Sequence, residues 1–138
     1  MLQQVIAGFY SKLSGDATLQ TKLGGSASDK KIFNLIAPQG ETLPYITFGV
    51  LTDMPIGVFG SLAKIEDLTF WVNCFSSTGQ KECQEIVDLV MTVLDDATLT
   101  VTGYTNMKTM REFVGSLLYD IETKIFQIPI RIRVQLTK

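Results

Sequence analysis

The sequence predicts an α+β domain, with two amphipathic helices packed on one face of a mainly antiparallel sheet. Three observations lead there. Apolar residues recur at helical spacing from Leu2 to Leu13 and again from Cys83 to Leu94. They alternate over 43–51, 68–75 and 126–136, the period of a strand. Gly15, Gly24-Gly25 and Gly79 fall at the ends of the helical stretches, where they mark joints.

Taken in order, Leu2, Val5, Ile6, Phe9, Tyr10 and Leu13 make one stripe on a first helix, with Gln3, Gln4, Ser11 and Lys12 opposite. Gly15 ends it. "DATLQTKLGG" predicts a further short turn of helix from Asp16, stopped at Gly24-Gly25. "KKIFNLI" (30–36) reads as a short strand and "APQGET" as a turn. "LPYITFGVL" (43–51) sets Ile46, Phe48 and Val50 on one face. "LTFWVNCF" (68–75) sets Leu68, Phe70, Val72 and Cys74 on one face and Trp71 and Phe75 on the other, as in a strand covered on both sides.

The second helix follows "SSTG", where Ser77 and Gln80 have the spacing of a capping box. Its stripe is Cys83, Ile86, Val87, Val90 and Leu94. Acidic Asp95 and Asp96 oppose the helix dipole at its C-terminal end, so the helix stops there. "TLTVTGY" then predicts a short strand, and "NMKTMREFVGSLL" another, interrupted or bent at Gly115. "DIET" is a turn. The closing strand places Phe126, Ile128, Ile130, Ile132, Val134 and Leu136 on one face and Gln127, Pro129, Arg131, Arg133 and Gln135 on the other. Pro129 has no N–H to give, which places it at a sheet edge or a bulge.

Composition narrows the function. The 138 residues suit a single domain, 1–138, and at 46% hydrophobic and 19% charged they have the balance of a chain that buries a core. No apolar run is long enough to span a membrane, and the N-terminus lacks the basic n-region of a signal peptide, so the expected compartment is the cytoplasm of the cell that makes it. Cys74 and Cys83 lack a metal-site spacing and read as two buried thiols. The sequence has no histidine, which removes Ser-His and Cys-His catalysis and histidine-based zinc sites together. Glu82, Glu85 and Asp88 sit on the polar side of an amphipathic helix, the pattern of a solvated face rather than a ligand set. "GGSAS" lacks the lysine of a phosphate loop. No cofactor, metal or catalytic residue is expected.

Charge is unevenly spread. Residues 1–103 hold 6 basic and 11 acidic side chains, a balance of −5, whereas 104–138 hold 6 basic and 3 acidic, a balance of +3. This is too mild for a nucleic-acid binder and suits acidic and basic surfaces meeting between copies. Arg131 and Arg133 project from one strand face; they suit a channel lining, a charge pair with a neighbouring subunit, or plain solvent exposure.

One stretch resists assignment. "MPIGVFGSLAKI" (54–65) is apolar, yet Pro55, Gly57 and Gly60 interrupt it too often for a helix or an ordinary strand. An apolar loop at about 52–64 is expected. Met54, Pro55, Ile56, Val58, Phe59 and Leu62 then form either a contact surface for another protein or a loop folded back on its own domain.

Read together, the N-terminal helix with "LGG", the "KKIFNLIAPQGETLPYITFG" stretch, "LTFWVNCFSSTGQKECQEIVDLVMTVLDD" and the closing "YDIETKIFQIPIRIRVQL" resemble the tail-completion, or tail-terminator, proteins of long-tailed bacteriophages. The most specific pieces are Pro38, Gly40, Pro44, Tyr45 and Ile46, and the "FSSTG" entry to the second helix. The resemblance implies a non-enzymatic virion protein of the tail or neck, assembled in the host cytoplasm. It implies a ring, hexameric in this family, that caps the tail tube protein and meets the head-side connector. DNA would pass through the lumen without sequence-specific binding, and no membrane is involved. The apolar loop would be covered by an adjacent subunit or by the last tube ring. Another neck component, such as a head-closure or stopper protein, is the nearest alternative. A small ligand-binding domain or carboxylate-dependent enzyme is the alternative of a different class.

Overall fold

A computed structural model describes residues 2–26, 28–57 and 64–137. Three helices, α1 (Leu2–Ser14), α2 (Ala17–Leu23) and α3 (Gln80–Leu94), accompany six strands. The strands are β1 (Ile32–Asn34), β2 (Tyr45–Gly57), β3 (Lys64–Ser76), β4 (Thr105–Val114), β5 (Leu118–Asp120) and β6 (Ile125–Thr137). They form one sheet in the order β1-β2-β3-β6-β4, with β5 paired to β6 beyond the end of β4. The class is α+β as expected, but the sheet is mixed: β1 runs parallel to β2, and all other pairs are antiparallel.

The short helix expected from Asp16 is a full element. The Asp16 carboxylate accepts from the Leu19 N–H at 2.9 Å, and left-handed Gly24 closes the other end. The expected capping box of α3 does not form: Gly79 is its N-cap and no side chain caps it. Ser76 instead donates its hydroxyl to Glu82 at 2.9 Å, tying the end of β3 to the first turn of α3. Asp95 ends α3, as the charge pattern predicts. "TLTVTGY" is not a strand; Val101 and Tyr104 make an isolated bridge about a turn whose Gly103 has φ +83°.

The expected loop at 52–64 is corrected where it is described. Residues 52–57 belong to β2 and pair with 64–69 of β3, from Thr52 with Thr69 to Gly57 with Lys64. Pro55 is admitted because β1 covers β2 only as far as Phe48, so past that point β2 is an edge strand. A bulge at Leu51 shifts the register there. Val58, Phe59 and Leu62 lie outside the described residues.

A single apolar core joins helices and sheet. Phe9 of α1 stacks on Phe70 of β3, with ring centroids 4.2 Å apart and planes within 2°, and leans on Phe48 of β2 at 5.2 Å. In α3, the Cys83 thiol donates to the Cys74 carbonyl of β3 at 3.3 Å, and Ile86, Val87, Val90 and Leu94 join the same cluster. The sheet contributes Leu68, Phe70, Val72 and Cys74 from β3 and Ile128 to Leu136, every second residue, from β6. At the far side, the Asn106 amide stitches three segments. It accepts from Leu99 N–H at 2.9 Å and from the Thr109 hydroxyl at 3.1 Å, and donates to the Gln135 carbonyl at 3.2 Å. Pro129 falls where β4 has ended and β5 has not begun, and its carbonyl receives the Gly115 N–H at 2.7 Å.

Both sheet edges are interrupted. On β2 the interruptions are the Leu51 bulge, Asp53 and Pro55. On β4 they are two register shifts and the turn after α3, where the Asp96 N–H donates to the Thr109 carbonyl at 2.8 Å and the Asp95 carboxylate accepts from the Arg111 N–H at 3.1 Å.

Gly8 tests the seat of α1. A Cβ on Gly8 would stand 2.5 Å from the Thr100 carbonyl oxygen, a backbone atom with little room to yield. Gly to Ala within a helix ordinarily stabilises by about 1 kcal/mol. Here Gly8→Ala is expected to destabilise by about 1–3 kcal/mol, because α1 must shift on the core. Urea unfolding reads the sign directly, and a raised midpoint would show that α1 is not seated against Thr100.

Candidate assembly surface

The strand residues that do not face the core form a second, half-exposed surface. Across its middle, one row runs Gly49, Trp71, Arg131 and Phe113 through the pairings of β2, β3, β6 and β4. The Trp71 ring lies on Gly49, where a Cβ would come within 2.6 Å of it, so only glycine leaves room for the indole. Arg131 places its guanidinium 5.3 Å from the centre of the Phe113 ring, a cation–π contact. The expectation that β3 is covered on both sides is thus met in part: Trp71 and Phe75 are half-buried by neighbouring strand residues.

The two arginines part company here. Arg133 is held within its own chain, its Nε 2.9 Å from one oxygen of Asp67 and 3.1 Å from the other. This forked pair raises the Arg133 pKa further and keeps its charge matched. Arg131 is exposed and remains open to a partner. Lys108 is likewise paired with Asp96 at 2.7 Å, and Lys22 with Glu85. Two of these pairs, Arg133–Asp67 and Lys108–Asp96, join the basic part of the chain to the acidic part inside the fold.

Apolar side chains left in solvent gather along both sides of the sheet. On the β1–β2 side are Leu35, Ile36, Leu51, Met54 and Ile56; Ile36 is 79% and Met54 63% exposed. On the β4–β5 side are Phe113, Val114, Leu118, Tyr119 and Ile121, with Ile121 80% exposed. Here Phe75, Leu118, Tyr119, Ile121 and Ile125 line an open groove of about 660 Å³. Met54, Pro55 and Ile56 thus stand on an exposed strand edge. Sequence reasoning missed the pair Leu35-Ile36, which looked like strand interior, and the 113–121 group, which shows no alternation. The one signal for Leu35 was the polar Asn34 breaking the apolar run before it.

Residues 8–136 match the family described as tail completion protein gp17. No curated protein matches the sequence. Among solved structures, a chain of the virion of a native gene transfer agent particle superposes with a TM-score of 0.76 at 12% identity, covering 96% of this chain and 93% of its own. A second solved chain superposes with a TM-score of 0.64 at 14% identity, covering 100% of this chain and 96% of its own. At such identities the likeness speaks for the fold.

The two thiols lie beneath this surface and are unsuited to act as nucleophiles. Burial pushes Cys74 far above the ordinary thiol range and Cys83 up to about 11. The stability this brings is full below the unfolded value of about 8.5 and is lost as the pH climbs toward the folded values. At pH 8 Cys83 is therefore held as the thiol. Ellman's reagent is therefore expected to label neither cysteine in the folded protein and both in denaturant. Rapid labelling of the folded chain would show that the core is open.

Proposed function

Because this chain belongs to the tail completion protein gp17 family, structural proteins of the phage virion rather than enzymes, we propose that it acts in assembly, closing a ring of copies over the end of the tail tube and joining it to the head-side connector. The observation that carries this reading is the pair of exposed apolar strips on opposite sides of one sheet. Clusters of exposed large apolar side chains mark protein contacts. Two unlike strips on opposite sides suit a head-to-tail contact, which repeats around an axis and closes.

In this reading the helices cover one face of the sheet and the other face is shared with neighbours. Met54, Pro55 and Ile56 meet an adjacent subunit or the last tube ring, together with Val58, Phe59 and Leu62. The ring has six members, as the resemblance of the sequence implies. Arg131 faces a neighbour or the lumen, through which DNA passes held by its phosphates alone and not read by sequence. Arg133 is assigned to the fold, since Asp67 already takes its charge. Growth along the axis stops because one side of the ring matches the tube and the other does not.

Light scattering with and without purified tail tubes tests this. The expected mass is near six chains, or that of one chain which becomes a ring only on tube ends. Met54→Glu and Ile56→Glu alter exposed positions and leave the core intact. Each is expected to weaken ring or tube binding by about tenfold or more, with an unchanged circular dichroism spectrum. A stable monomer indifferent to tubes would favour a head-closure or stopper role instead.

A further inference from the structure

Lys31 is buried, 5% exposed, immediately before β1. Its backbone is fixed: φ is +62°, its N–H donates to the Asp29 carboxylate at 3.0 Å, and its carbonyl accepts the Ile46 N–H at 2.9 Å. From this anchored position the ammonium reaches across the mouth of the 35–42 loop. It donates to Glu41 Oε1 at 2.7 Å, to the Thr42 hydroxyl at 2.7 Å, and to the Thr42 carbonyl. All three N–H groups of the lysine are then used, which is what lets so strongly hydrated a cation lie buried.

The loop has little else to hold it. None of residues 35–42 belongs to the apolar core, and Leu35, Ile36, Pro38, Gln39, Gly40 and Thr42 are exposed. At its near end the Leu35 N–H donates to the Phe48 carbonyl at 2.7 Å, with Leu35 in the left-handed region at φ +72°. A leucine there is unfavourable and keeps that shape only when its surroundings impose it. Within the loop, the Ile36 N–H donates to Asn34 and the Glu41 N–H to Pro38. Among the described residues, every side-chain hydrogen bond from the body of the protein to the far end of the loop comes from Lys31.

We infer that Lys31 is a latch that holds residues 35–42 in the conformation displaying Leu35 and Ile36, and that this loop opens as a unit, apart from the sheet, when the latch is lost. The physical reason for independence lies in Glu41. If the lysine is removed, the carboxylate need not remain buried and unmatched, because the exposed segment that carries it can swing into water. The core then keeps its own contacts. This inference does not depend on the assembly reading.

Native-state amide hydrogen exchange on Lys31→Met tests it. The Ile36 and Glu41 amides are expected to exchange about 100-fold faster than in the unaltered protein, while those of Val72 and Ile132 change by less than about twofold. Glu41→Gln, which keeps an acceptor but removes the charge, should accelerate the same loop amides by a smaller factor. Equal acceleration of loop and core would overturn the inference, since the loop would then open only with the whole fold. Unchanged loop exchange would overturn it too, as would a Lys31→Met chain that fails to fold while Glu41→Gln accelerates core and loop alike.

Discussion

The fold depends on the register between β3 and β6. Twelve residue pairs run without a break from Ile65–Thr137 to Ser76–Phe126. Within them Phe70 stands beside Ile132, Val72 beside Ile130 and Cys74 beside Ile128, so two rows of apolar side chains point the same way. A slip of one residue would turn a whole row into solvent and bring Arg131 and Arg133 against the core. The helices read this register: Phe9 can stack on Phe70, and Cys83 can reach the Cys74 carbonyl, only because that side of β3 is presented to them.

How much was legible in the sequence follows from this. Strands with strict alternation and helices with clean stripes were readable, because one physical rule, burial of one side, sets each of them. The parts that were not readable answer to other rules. The stretch 52–57 carries a proline and a glycine, yet it is strand because β3 supplies partners and, among the described residues, no strand flanks its outer side. Ser77 looked like a cap, but Ser76 took up the link to Glu82, and the helix began after Gly79. The parallel pairing of β1 leaves no local mark, since three residues cannot show a direction. Of the expected surface, Met54, Pro55 and Ile56 were named from composition. Leu35 and Ile36 were not, because their exposure is set by a lysine that reaches forward ten residues.

The charges tell a similar story. In the linear sequence the acids and bases look segregated, as if meant for a neighbour. Folding brings Asp67 to Arg133 and Asp96 to Lys108, across more than sixty residues in the first case and twelve in the second. What is left for outside contacts includes the apolar side chains of both strips and exposed charges such as Arg131.

The interrupted edges bear on how such a protein behaves before it meets anything. A sheet whose border offers a clean row of N–H and C=O groups will accept any passing strand, including its own copy, and chains of such contacts grow into fibres. Here a bulge, a carboxylate and a proline break one border, and a two-residue turn sits on the other. The backbone is thereby closed to indiscriminate joining, and recognition is left to the shape of side chains. Strand-to-strand joining of stray copies, which would divert a virion part before it meets its neighbours, is thereby disfavoured.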